Sequence, residues 1–380
     1  MTPRERILAA IQRQPVDRVP CRIRFNELSP QQRQGYKWQL PWAQDTAPEE
    51  KLRYQVEQLG LDQTVESSVD LCRPEKGVES KVWLDEDVLH KVYSTPAGEL
   101  HAAIRFNEKW PHGKDIPFYS DFNVGHYEQP WIRTQQDLEC FKHAFRLNEN
   151  EEVMTSARQR CEKAKDLAGG FDLATFGRAG MGLTGAQQLF GAADLCMKTI
   201  EDPELVNAYL DYEHGMNLRA IDFYAGQGID IILRNGFYES ADFYSPAALE
   251  RFLGQRLREE ADAAHEAGML FGYILNTGVM PILDFVAGLP IDFILGIDPA
   301  FPDIDLDVLK DKLGTKKSIW TGPSSAYHFW EGPEVTRQAV RDIFEKLGKT
   351  GLVLSPSVSV HCIAPWESAE AMMDEWRRLR

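Results

Sequence analysis

The chain has 380 residues, 43% hydrophobic and 26% charged, enough to bury a large core in one big domain or two smaller ones. Forty-two Lys and Arg against 58 Asp and Glu give a formal net charge of −16, which disfavours non-specific attraction to nucleic acid or to an anionic membrane face. No apolar run approaches the ~18–20 residues of a membrane span, and the opening MTPRERILAAIQRQP lacks the apolar core of a signal peptide, so a cytoplasmic protein is expected.

Thr2 to Glu5 has the T-x-x-E form of a capping box with Pro3 at the first helical position, and Ile7, Leu8 and Ile11 then form one apolar face. A short helix opens the fold. After Pro15 and Pro20 the segment VPCRIRFNE alternates like a strand and carries Arg22, Arg24, Asn26 and Glu27. Residues 28 to about 60 show no strong period. From Lys81 to Phe106, short alternating runs broken by Asp-Glu-Asp and Pro-Ala-Gly signal a β-meander. With the aromatic- and Pro-rich stretch that follows, expected to be an ordered loop, it makes an insertion spanning about residues 80–130 of a single domain over 1–380.

Beyond residue 200 the pattern becomes regular. Asp202-Pro203 opens a helix through Leu205, Tyr209, Tyr212 and Met216, and IDIILRN (229–235) follows; Ser245-Pro246 opens another that stops at Gly268, and LFGYIL follows. DFILGIDP (292–299), KSIWTGP (317–323) and GLVLSPS (351–357) are three more apolar runs, with a helix from Gly332-Pro333 and a last one from Pro365. With VPCRIRF, a run near Thr64–Ser68 and DLATFGR (172–178), the count reaches eight, which predicts an α/β fold of the (β/α)8 TIM-barrel type. No glycine fingerprint favours an open dinucleotide-binding sheet.

In such a barrel, chemistry sits at the carboxyl ends of the strands. Leu270–Pro281 (LFGYILNTGVMP) would deliver Tyr273 and Asn276 there. The fourth strand brings Arg234 and Asn235, then Tyr238 and Glu239: an anion-binding fork and a general acid or metal ligand, or else an internal Arg–Glu pair that holds the loop. Asp298 ends the sixth strand, as a substrate-orienting acid or a loop cap. Arg178 in GRAGMGLTG could hold an anion beside backbone N–H groups, and His328 with Tyr327, Phe329 and Trp330 could form an aromatic wall or ordinary loop packing. Glu239, Asp298, His361 and Cys362 could in principle gather around a metal. His214 and His265 lie within helices and read as structural or exposed. The six cysteines, Cys21, Cys72, Cys140, Cys161, Cys196 and Cys362, form no CxxC pair and read mostly as buried, reduced thiols.

Four stretches, TPRERILAAIQRQPVDRVP, VYSTPAGELHAAIR, ADAAHEAG and GLVLSPSVSVHCIAPWESAEAMMDEW, resemble the uroporphyrinogen decarboxylase superfamily, and most of all its methyltransferase-like branch. That resemblance implies a barrel that moves a methyl group between a small O- or N-methyl substrate and a corrinoid carried on a partner protein. Two departures qualify it. Zinc-dependent thiol methyltransferases of the family carry His-x-Cys on strand five and a Cys after strand eight, where this chain has YILNTG and, near the second position, Val358. No thiolate pair is placed to hold a thiol-activating zinc. The Arg-rich RQAGR of true decarboxylases is also replaced, by CRIRFNE with Arg22 and Arg24, so the clamp for a many-carboxylate macrocycle is incomplete.

The expected function is therefore methyl transfer, with Glu239, Tyr238, Asp298 or His361 polarising the leaving atom. Arg24, Asn26, Arg178, Arg234, Asn235, Tyr273, Asn276 and His328 are expected to contact substrate or corrinoid. Whether zinc binds, through Glu239, His361 and Cys362, is open, as is a homodimer. The alternatives are a cofactor-independent decarboxylase that seats a carboxylate on Arg24, Arg178 and Arg234, and a non-catalytic partner of a corrinoid protein.

Overall fold

The computed structural model describes residues 1–30, 32–357 and 359–380. Among them, seven strands form one parallel sheet in which chain order is also spatial order: Thr64–Ser67, Ala174–Arg178, Ile231–Asn235, Leu270–Ile274, Phe293–Leu295, Ser318–Thr321 and Leu352–Leu354. The sheet curls into a half-barrel, and helices on its outer side link successive strands, the arrangement that parallel pairing demands.

The expected first strand is the exception. VPCRIRFNE makes one parallel bridge, Cys21 to Leu354, with Arg22 N–H donating to Leu354 O and Leu354 N–H to Pro20 O. Toward Thr64–Ser67 one backbone bond, from Asp62 N–H to Cys21 O at 2.8 Å, is joined by side chains: Gln63 Nε2 donates to Ile23 O, and Asp62 Oδ2 accepts from Cys21 N–H. Residues 20–23 thus stitch the two sheet edges together without forming a regular eighth strand. Further on, Phe25–Asn26 pairs in parallel with Val360–His361.

The amino-terminal helix, Pro3–Ile11, has both arms of the predicted capping box, between Thr2 and Glu5. Its Ile7, Ala10 and Ile11 pack against Phe176, Leu233, Phe293 and Trp320, side chains that fill the barrel interior. With the amino-terminal end so occupied, the polar ends of the strands face the other way. Asp202 and Ser245 cap the helices Pro203–Gly226 and Pro246–Leu249 as their sequences predict.

The meander is present as Glu79–Asp85, Val88–Thr95 and Gly98–Arg105, all antiparallel, with Leu89, Leu100, Ala102 and Ile104 buried in the main core. The stretch after it departs from the expected loop: Asp121–His126 is a helix and Tyr127–Gln129 adds a fourth strand. Residues 48–58, where no period is legible, are also helical, as Pro48–Arg53 and a π turn Tyr54–Gln58. No residue in either segment is buried, so there is no apolar stripe to read. All six cysteines are free, four of them buried. No described helix is long and apolar enough to cross a membrane.

Candidate functional site

Two arginine clusters form at the carboxyl ends of the strands, and they differ in charge balance. The first is centred on Arg234, the penultimate residue of Ile231–Asn235. Its Nη1 donates to Glu239 Oε2 at 2.7 Å and its Nε to Glu260 Oε2 at 2.8 Å. Tyr273 Oη also donates to Glu239 Oε2, and Leu183 N–H donates to Glu239 Oε1 at 2.8 Å. Asn217 and His214 complete the shell of Glu260. Arg234, Glu239, Glu260 and Tyr273 are each 1% exposed or less.

That sealing corrects several expectations. Arg234 and Tyr273 have no face left for substrate, and both oxygens of Glu239 are taken by donors. The open choice between a substrate fork and an internal pair falls to the internal pair. GRAGMGLTG is likewise no anion-holding loop, because Gly182–Phe190 is a buried helix whose first amides serve the protein's own carboxylates, Glu213 and Glu239. Gly182 itself has φ +49°, and a Cβ there would lie 2.3 Å from both Arg234 Nη2 and Glu239 Oε1. The glycines serve packing against this network.

The second cluster has surplus positive charge. Arg22, Arg24 and Arg178 line one small cavity of about 40 Å³ with Asn276, Ser355 and Ser359. Arg178 Nε donates to Glu66 Oε1 at 2.9 Å and its Nη1 to Asn235 Oδ1 at 2.6 Å. Arg22 and Arg24 have no carboxylate partner among the described residues, and the buried Nε of Arg22 has no hydrogen-bond partner at all. Arg22 is 7% exposed and reaches through the barrel core over the Phe176 ring. Burial, and then repulsion from Arg24 and Arg178, lowers its pKa to about 9. Arg24 shifts down for the same two kinds of reason. Three guanidinium groups thus meet the single carboxylate of Glu66, and an added anion would relieve the imbalance.

Asn276 also lines this cavity. It lies against Gly296, where φ is +101° and a Cβ would approach Asn276 Oδ1 to 2.5 Å. His361 and Asn26 stand beside it, paired across the short two-strand ladder with Asn26 Nδ2 donating to His361 Nδ1 at 3.2 Å. Burial, then the charge of Arg24, holds the imidazole below its usual pKa, so His361 is neutral.

A larger cavity of about 260 Å³ adjoins on the other side of Arg178 and Asn235. Tyr119, Phe145, Met181 and Met216 give it an apolar wall, and beside Arg178 the side chains of Asp70, Cys72 and Glu213 supply its ionisable groups. Burial pushes the Cys72 thiol up to about 12, so it is not a thiolate.

The other expected site residues lie elsewhere. Asp298 is 3% exposed and acts as a loop cap, accepting from Ser324 Oγ at 2.7 Å and from Ala300 N–H at 2.9 Å. His328 Nδ1 accepts from Ser324 N–H at 2.9 Å on the same loop. Its neighbours Tyr327 and Trp330 are half-exposed while Phe329 is buried, so the aromatic wall belongs to the outer rim and not to either cavity. Tyr238 is half-buried near Asp121 of the insertion, and its backbone N–H donates to Thr184 Oγ1 at 3.1 Å. His214 is structural: both its ring nitrogens face carboxylates, of Glu260 and Glu259.

The expected metal set does not assemble. Cys362 is sealed with Leu40 and Trp42, His361 is committed to Asn26 and Glu239 to the Arg234 network. Among the described residues no three His, Cys, Asp or Glu side chains come together as a metal site. Val358, near the position of a family cysteine, lies outside the described residues.

Arg22, Glu66, Ser355, Ser359 and Glu213 were not among the residues that motif spacing singles out as site residues. For Glu213 a signal exists: Tyr209, Glu213, Met216 and Asn217 share one helical face, so a carboxylate interrupts an otherwise buried stripe.

Comparison with known proteins follows the same outline. The model of the uroporphyrinogen decarboxylase (URO-D) family matches residues 120–379. A solved structure of a methyltransferase from Methanosarcina mazei is similar over 100% of this chain and 99% of its own, with TM-score 0.58 and 18% identity. A B12-independent methionine synthase from Shewanella sp. W3-18-1, solved with selenomethionine, is covered over 98% of its chain and 95% of this one, at TM-score 0.49 and 12% identity. None of the curated proteins compared matches the chain.

Proposed function

The chain belongs to the uroporphyrinogen decarboxylase family, and from that premise we propose that it is a methyltransferase for a small O- or N-methylated substrate bearing one anionic group. The acceptor is a corrinoid presented by a partner protein over the open ends of the strands. The observation that carries this reading is the unbalanced cluster of Arg22, Arg24 and Arg178 beside a 260 Å³ cavity. The small cavity suits an anionic head group, and the larger one suits the body of a ring or branched amine. The whole-chain likeness to a methyltransferase supports the choice of reaction.

In this reading Arg24 and Arg178 fix the substrate's anion at the mouth while Arg22 supplies charge from below. Asn276, Ser355 and Ser359 provide neutral hydrogen bonds, and the apolar wall of the larger cavity keeps water from the reacting end. No step is assigned to a protein-bound metal, since the available donors are committed elsewhere.

The test mixes the purified protein with cob(I)alamin and, in turn, methoxybenzoates and methylamines, and follows the corrinoid spectrum. Formation of methylcobalamin with a carboxylated donor is expected; none with any donor overturns the reading. The arginine cluster also favours a second reading, a decarboxylase of a small acid. Release of CO₂ from the same benzoates without any corrinoid would identify that activity instead.

A further inference from the structure

The larger cavity has an ionisable wall that anion binding does not use. Glu213 lies midway along Pro203–Gly226 and is 5% exposed. Its Oε1 accepts the N–H groups of Met181 at 2.6 Å and Gly182 at 3.1 Å. Its Oε2 takes no hydrogen bond among the described residues, although the residue walls the cavity next to Arg178 and Asn235. A carboxyl group held at one oxygen and free at the other is already aimed.

The surrounding charges decide its proton. Three carboxyl groups, Glu213, Glu239 and Glu260, share the interior with two cationic partners, Arg234 and His214, the latter's pKa raised, against the effect of burial, by its carboxylate partners. Glu260 binds both cations directly, and Glu239 is bound by Arg234, Tyr273 and the Leu183 amide. Glu213 touches neither cation. The remaining neighbours are the Tyr119 and Tyr209 hydroxyls, which are 3.3 Å apart, the neutral Cys72 thiol, Asp70, an exposed carboxylate of the same cavity that is paired with Arg73, and Arg178, which is already engaged by Glu66 and Asn235. Burial raises the Glu213 carboxyl; the charge of Arg234 opposes, Glu260 adds to the rise, the two amides oppose, and the balance is upward. Burial raises Glu239 too, but both its oxygens are taken by donors, and Glu259 takes the outer nitrogen of His214, so Glu213 is the carboxyl with a free oxygen and no cation of its own.

We propose that Glu213 is the proton donor to the atom that leaves when the substrate's methyl group is transferred. The inference rests on the methyltransferase reading and adds to it the catalytic acid. The acceptor's nucleophile contributes the electron pair of the new bond to carbon. The old bond from carbon to oxygen or nitrogen breaks, its pair stays on the leaving atom, and the proton of Glu213 joins that atom. Glu213 is left as a carboxylate, stabilised by the Met181 and Gly182 amides, and regains its proton from solvent through the cavity. A phenol or an amine is released.

The test uses Glu213→Gln, whose side-chain carbonyl can still accept both amides. Two donors are compared with cob(I)alamin as acceptor: 4-methoxybenzoate, and 4-methoxy-3-nitrobenzoate, whose leaving phenol needs less help from an acid. On the first, kcat is expected to fall about 10²–10⁴-fold with KM nearly unchanged, and on the second by much less. The alkaline fall of the wild-type pH–rate profile, where Glu213 loses its proton, should vanish in the variant. Independently of turnover, infrared difference spectra at neutral pH should show a protonated carboxyl band that the variant lacks. Equal loss on both donors, or no such band, overturns the proton-donor role. A wild-type protein that shows the band but methylates cobalamin from no donor marks the failure of the methyltransferase reading instead, and the donor role falls with it.

Discussion

The Arg234 network and the Arg22–Arg24–Arg178 pocket use the same residue type a few residues from the same strand ends, yet one is closed and the other is open. Arg234 is surrounded by carboxylates and has two direct ion pairs with them. Arg22 is nearly as buried and has none among the described residues. A buried charge that its own fold neutralises holds elements together, whereas one left uncompensated is tolerated where a ligand completes it. Charge balance, more than residue identity, separates the structural arginine from the binding ones.

The sharpest way to break that contrast is at Arg234. Arg234→Met strands Glu239 and Glu260 without their cation and should destabilise the fold by about 3–5 kcal/mol, read from urea denaturation. A loss below about 1 kcal/mol would place the network outside the fold's supports. Next in size is binding. Benzoate should raise the melting temperature of the wild type, and Arg24→Gln should weaken benzoate binding by about 1.5–3 kcal/mol, the cost of a charged hydrogen bond. Calorimetric titration checks both. Unchanged affinity in the variant removes Arg24 from the site. Because Arg22 titrates near pH 9, affinity should also decline as the pH rises through that value.

Arg22→Met should do the opposite of Arg234→Met to stability. It removes an unpartnered buried cation, so the ligand-free protein should gain on the order of 1 kcal/mol while losing affinity for benzoate. A loss of stability would mean that Arg22 is supported by something other than a ligand. The smallest effect concerns His361, whose folded pKa lies below its ordinary value through burial and Arg24. As the pH falls through about 6.5 the unfolded chain takes up a proton that the folded chain refuses, so stability declines with acidification. His361→Gln should flatten that decline below about pH 6.5, and an unchanged slope would assign it to other groups.

Much of this molecule was legible in its residues, because the signals involved are local. The caps at Thr2, Asp202 and Ser245, and the short apolar runs that became parallel strands, need only neighbours in sequence to be recognised. Counting those runs pointed to a barrel-like parallel sheet, and Arg24, Arg178, Asn235 and Asn276 line cavities by its strand ends. What the residues alone left open was which charges meet. Glu260 and Glu213 come from two different outer helices to Arg234 and to the Gly182 helix, at sequence separations of 26 and 31 residues. Glu66 reaches Arg178 across 112. Local periodicity places a side chain on a face, but only the packed structure decides whether that face meets an opposite charge, an amide or an open cavity. Here that decision moved Glu239, Arg234 and Tyr273 into the interior and brought Arg22 and Glu213 to the site.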